Sequence, residues 1–155
     1  MDSYLLLKSL HILGVVLFIG NIVVTAWWKT MADLTRDPKI IAFAQRQVTL
    51  TDWVFTFGGV LLVAIGGYGN AGLHRMSLTI GWLAWGNALF VLSGVIWIAI
   101  LIPVQTKLAR LAQTFADGGT IPEGYWKLEK LWGVFGAIAT ILPIANIAIM
   151  VFKPA

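Results

Sequence analysis

The sequence contains no cysteine, so disulfides, thiolate metal ligation and cysteine redox chemistry are excluded from the outset. Charge is nearly as scarce. Only 12% of the 155 residues are Asp, Glu, Lys or Arg, against roughly 25% in an ordinary soluble domain. Histidine occurs twice, at His11 and His74. No paired carboxylates, zinc spacing or nucleophile arrangement is visible, and "GGYGNAG" follows an apolar run and not a strand, so its glycines are expected to end a helix there and not to cradle a phosphate.

What the chain has instead is apolar length. It is 59% hydrophobic, with a mean hydropathy of +0.84. Four stretches carry no Asp, Glu, Lys or Arg: Ser9–Trp28, Trp53–Leu73, Met76–Thr106 and Leu131–Phe152, of 20, 21, 31 and 22 residues. About 20 apolar residues in a helix cross the hydrocarbon, and a helix satisfies its own backbone there. The sequence therefore predicts an all-α, polytopic membrane protein. It is expected to be one integral domain over residues 1–155, a four-helix bundle with spans at about 4–28, 53–71, 79–104 and 131–152. The N-terminus has Asp2, no basic region ahead of the apolar run and no small-x-small cleavage site, so the first span is expected to be retained.

Lysine and arginine set the expected orientation. Residues 29–52 and 107–130 hold eight of them, while Lys8, Arg75 and Lys153 are the three on the other side. Cytoplasmic loops carry the excess, so both termini and the turn around His74 are expected outside, periplasmic for an inner (plasma) membrane protein. Trp27, Trp28, Trp53, Trp126 and Trp132 fall at the inner boundary, Trp82 and Trp85 towards the outer one. In the first inner loop Asp37 and Pro38 are a cap and first-turn pair, and Ile40, Ile41, Ala44 and Val48 recur at helical spacing. This predicts an amphipathic segment on the inner surface, running into span two. In the second, the Gly118–Gly119 stop followed by Pro122 and Glu123 opens a helix leading into span four.

No carboxylate is expected near the middle of a span, which argues against ion-coupled transport. The polar residues within the spans are few. From a rise of about 1.5 Å per residue, His11 lies roughly 8 Å, and Asn87 and Asn146 about 6 Å, outside the midplane. Three helices thus bring polar groups to one layer, where span two has Gly66 and Gly67. Asn21 lies on the inner side and is expected to bond across to span two near Thr56. Gly14, Gly94, Gly133 and Gly136 are the candidates for close helix packing. His11 shares a helix face with Lys8, Gly14, Val15 and Phe18. A neutral imidazole in a bundle is a familiar haem or metal ligand, and Lys8 can snorkel outward from it. His74 and Met76 are too superficial to be obvious second ligands.

The stretches "YLLLKSLHILGVVLFIGN", "TDWVFTFGGVLLVAIGG" and "GVIWIAILIPVQTKLARL" resemble the bacterial integral-membrane family known as domain of unknown function 2269, over essentially the whole chain. More distantly, Lys8-x-x-His11 is similar to the first span of the J-type protoporphyrinogen oxidases and of the copper-resistance D membrane proteins. That resemblance implies b-type haem at His11. The oxidases also need a lysine in a later span, whereas here Lys107 stands only at the inner end of span three.

Three functional classes follow. The favoured one is a non-enzymatic scaffold or partner subunit whose polar layer is packing glue. The alternative is a redox protein binding haem b or a metal, with His11 as the ligand and Asn87, Asn146 and Lys8 around the cofactor. The third is a small permeation path for a solute or metal. The expected partners are the lipid bilayer and a second copy or another membrane protein, with no nucleic acid.

Overall fold

The computed structural model describes residues 2–79 and 81–154. Met1, Ile80 and Ala155 lie outside the described residues, so the two end residues of the expected domain and one residue of the expected third span (79–104), Ile80, are not described. The elements are α1 (Ser3–Leu34), α2 (Pro38–Thr51), α3 (Phe57–Leu73), α4 (Gly81–Ile96), α5 (Ile102–Thr114) and α6 (Glu123–Phe152). Short π-helical turns, Asp52–Thr56 and Trp97–Leu101, join α2 to α3 and α4 to α5 without a break. The result is four helices long and apolar enough to cross a membrane: Ser3–Leu34, Pro38–Leu73, Gly81–Thr114 and Glu123–Phe152. No strand occurs among the described residues. The described residues nearest the two termini and the turn at 74–79 lie at one end, called here the terminal end. The opposite end holds most of the charge and is called the charged end.

The local signals act where the sequence puts them. The Asp37 carboxylate accepts from the backbone N–H groups of Lys39 (2.8 Å) and Ile40 (3.2 Å), and Pro38 occupies the first turn. Gly118, at φ +106°, makes the turn ahead of α6, which opens at Glu123 after Pro122. Two expectations change. The glycines of "GGYGNAG" do not end span two, because α3 continues to Leu73. The inner segment runs into span two as expected, nothing between Thr51 and Trp53 breaking the helix, but its apolar stripe is not turned to the lipid surface. Its stripe has a protein partner: Ile41, Ala44 and Val48 are buried, while Ile40 is exposed. Ile41 joins Val104, Leu108, Ala112, Phe115 and Tyr125 in a core of the kind soluble proteins have, at the charged end.

Two tight helix pairs make up the rest. Helices α1 and α3 touch backbone to backbone. A Cβ on Gly14 would stand 2.6 Å from the Val63 nitrogen, and one on Gly66 would stand 2.5 Å from the Leu7 carbonyl oxygen. Gly59 meets the Phe18 backbone in the same way. Helices α4 and α6 form the second pair around Pro143. A proline inside a helix leaves the carbonyl four residues earlier without its donor. Here that carbonyl belongs to Ala139, and the buried Ser93 hydroxyl of α4 donates to it at 3.0 Å. Of the glycines expected to pack, only Gly14 does. Gly94, Gly133 and Gly136 face open space, because α6 meets α4 through Ala139, Asn146 and Met150 instead.

The two pairs meet along α1 and α6, and at the charged end. Helices α3 and α4 share no close backbone approach. Side chains alone bridge that seam: Tyr68 to Asn87, and the ring group of Trp53, Phe57 and Trp97.

Gly66→Val should separate α1 from α3, at a cost near the top of the roughly 1–3 kcal/mol usual for overpacking, since backbone and not a flexible side chain is in the way. Gly136→Val should leave the fold intact. Size-exclusion profiles and thermal midpoints of the two variants in detergent check this; equal behaviour would contradict the packing described.

Candidate ligand cavity

Because α1 is drawn to α3 and α4 to α6, a gap is left between the pairs at the terminal end. It is a cavity of about 370 Å³. Its walls are mostly aliphatic and aromatic, among them Val15, Ile19, Leu83, Phe90 and Ile147. Lys8, His11, Asn87 and Asn146 all line it, so the four candidate site residues are brought together. Met76 also lines it. His74 does not, and instead stands edge-on to the Tyr4 ring at 5.2 Å.

His11 is held by its backbone neighbourhood. Gly66 lets the α3 backbone close on residues 7–11, and Gly67 leaves room for the imidazole, whose Nδ1 lies 3.1 Å from where a Cβ would be. Nδ1 is 2.9 Å from the Val63 carbonyl oxygen. A carbonyl only accepts, so Nδ1 carries a proton, and in the neutral ring the lone pair is on Nε2. Nε2 has no hydrogen-bond partner among the described residues.

The asparagines are partly used. The Asn146 amide donates to the Gly86 carbonyl at 3.0 Å, across α4 and α6, but its Oδ1 is buried without a donor. Asn87 Oδ1 accepts from the Tyr68 hydroxyl at 2.6 Å. A further asparagine lines the cavity, Asn70, and its Oδ1 is also buried without a partner. Sequence reasoning passed over Asn70 and Tyr68 because it took their stretch for a helix end. Continuing the 3.6-residue period from Gly66 would have placed Asn70 one turn on, on the same face. Lys8 is exposed at the mouth, its Nζ 5.7 Å from the Tyr4 ring centroid. No cluster of three or more His, Asp or Glu suited to a metal exists among the described residues; His11 stands as a single imidazole.

A second polar region occupies the charged end. Asn21 does reach Thr56, at 2.9 Å, and its amide also donates to Asp52 at 3.0 Å. The Thr56 hydroxyl donates to the same Asp52 oxygen at 2.9 Å. Asp52 is 8% exposed and lies within the continuous Pro38–Leu73 helix, not in a loop before it. Lys29, counted in sequence as a loop cation, is wholly buried. It pairs with Asp33 one turn on and with Glu129 of α6 at 2.9 Å, and donates to the Tyr125 hydroxyl at 2.8 Å. Helix α1 overruns its charge-free stretch, carrying this lysine into the core of the charged end.

Removing one member of a buried ion group strands the others, typically at about 3–5 kcal/mol. Lys29→Met keeps most of the volume and leaves Asp33 and Glu129 without their cation. A fall of that size in unfolding free energy is expected from denaturant or thermal unfolding in detergent, and an unchanged midpoint would contradict the buried pairing.

No curated protein and no solved structure matches the chain. Residues 5–154 match one family model, described as "Predicted integral membrane protein (DUF2269)". The likeness to J-type oxidases and copper-resistance D proteins has no support from these comparisons. With nearly its whole length covered, and four helices of spanning length and composition, the chain belongs to the predicted integral membrane proteins of domain-of-unknown-function family 2269.

Proposed function

We propose that this protein is a binding protein of the bacterial inner membrane, with both termini periplasmic, whose cavity takes a lipophilic molecule that donates hydrogen bonds. A phenol or hydroquinone is the matching class. The observation that carries this reading is an unused acceptor in an apolar cavity, His11 Nε2 on α1, joined in the same lining by Asn70 of α3 and Asn146 of α6, whose Oδ1 atoms are buried without a donor. A buried acceptor left unpaired costs about 1–3 kcal/mol, and a donor from a ligand recovers it. The α3–α4 seam, bridged in this half by Tyr68 alone, is the weakest wall and faces lipid. The inner-membrane orientation rests on the eight-to-three distribution of Lys and Arg.

A second reading, b-type haem, is favoured by one observation. An imidazole with Nδ1 donated to a carbonyl and Nε2 free is the usual state of a ligating histidine. His11 would hold the iron and Lys8 would face a propionate; bound haem supplies one-electron chemistry. The scaffold reading accounts for the interhelical bonds from His11 Nδ1 and the Asn146 amide, but gives no use to the remaining acceptors.

The test is thermal unfolding of the detergent-purified protein with a decyl-substituted hydroquinone or its dimethyl ether, together with absorption spectra before and after dithionite. A ligand at a hundred times its Kd stabilises by about 2.7 kcal/mol. The hydroquinone should raise the midpoint, its ether should not, and His11→Ala should abolish the rise while still inserting and folding. A Soret band lost in His11→Ala would replace this reading with the haem one. A colourless protein indifferent to both ligands would leave the scaffold.

A further inference from the structure

Helix α2 and the turn after it have a second face that the bundle leaves largely exposed. Opposite the buried Ile41, Gln45 and Val48 runs the stripe Lys39, Phe43, Arg46, Leu50 and Trp53, at steps of four and three residues. Together with Ala109, Ala112 and Gln113 of α5 it bounds a groove of about 650 Å³ at the charged end. Alanines on α5 keep the groove deep. Phe43 is 66% and Leu50 56% exposed, a poor arrangement for a helix in water alone. Lys39 and Arg46 are exposed too, which rules out hydrocarbon. No carboxylate lines the groove, and neither cation is in an ion pair among the described residues.

We infer that this groove binds the headgroup and upper acyl chains of an anionic phospholipid. The inference does not rest on the cavity at the other end. Depth and charge both favour it. Trp53, half exposed, is the first residue of the charge-free stretch and marks the membrane boundary. Arg46 is two turns earlier on the same face, about 10 Å to the water side, where phosphates lie. Its guanidinium presents a planar pair of donors that suits a phosphate diester. Lys39 lies about 10 Å further out, within reach of the electrostatic field of a charged headgroup layer. Leu50 and Trp53 then lie beside the first carbons of the chains. A zwitterionic lipid supplies the phosphate but brings an ammonium towards the two cations, and so fits less well.

The protein in mild detergent, titrated with short-chain phosphatidylglycerol, phosphatidylcholine or inorganic phosphate, tests the inference through thermal midpoint and lipid retention in native mass spectrometry. Phosphatidylglycerol should bind about tenfold or more tightly than phosphatidylcholine. Lys39→Gln/Arg46→Gln should remove that preference while keeping the lipid-free midpoint, since neither side chain is buried or paired. Lys130→Gln, outside the groove, should retain it. Equal response to the two lipids, or an unchanged preference in the double variant, overturns the inference and leaves the groove to a protein partner. Stabilisation by inorganic phosphate alone, equal to that by the lipid, overturns it in favour of a free anion.

Discussion

Backbone contact between α1 and α3 is the constraint from which the rest of this molecule follows. Inside a membrane, apolar side chains gain little by leaving lipid for protein, so close association rests on van der Waals packing and interhelical hydrogen bonds. Gly14, Gly59 and Gly66 allow α1 and α3 to approach until main-chain atoms touch. No comparable set of small residues links α3 to α4. The bundle is thus asymmetric, tight within its pairs and loose between two of them. The cavity occupies the loose place, and the imidazole of His11 enters it because Gly66 and Gly67 sit opposite.

Polar satisfaction governs the second pair as packing governs the first. Pro143 frees the Ala139 carbonyl within an apolar helix, where no water can take its place. Ser93 answers it, and the Asn146 amide, nearly one turn beyond the proline on α6, adds a bond to the Gly86 carbonyl. A proline and its hydroxyl partner therefore fix the register of α4 against α6. With that register set, Asn87 and Asn146 both line the cavity.

The four-helix plan was legible because length and charge decide it: an apolar run of 20 residues has few other homes. The polar layer was legible in part. His11, Asn87 and Asn146 could be placed by counting rise, since depth in a span is close to linear in sequence. Asn70 and Tyr68 were missed because glycines read as a helix end in water remain helical when a neighbouring helix packs on them. The charged end was least legible. Lys29 and Asp52 flank charge-free stretches and count as loop residues by composition, yet their helices run on past the membrane boundary. Which glycines pack also escaped the sequence. Gly133 and Gly136 lie on neighbouring turns of α6 as packing glycines would, and only the direction of their face, away from α4, decides otherwise.

The two ends divide the work of holding the bundle and leaving it open. At the charged end, Lys29 ties α1 to α6 through Glu129 and Tyr125, and α2 is packed on α5 around Leu108 and Phe115. These links join every helix of one pair to the other pair. With the pairs clamped there, the terminal end does not need a continuous interface between α3 and α4, and the Tyr68 side chain bridges it, to the Asn87 amide and to the Phe90 ring. These contacts belong to side chains and not to the backbone interface of either pair. A buried ion group at one end and a seam bridged by one side chain at the other are thus parts of one arrangement, in which stability is concentrated away from the cavity.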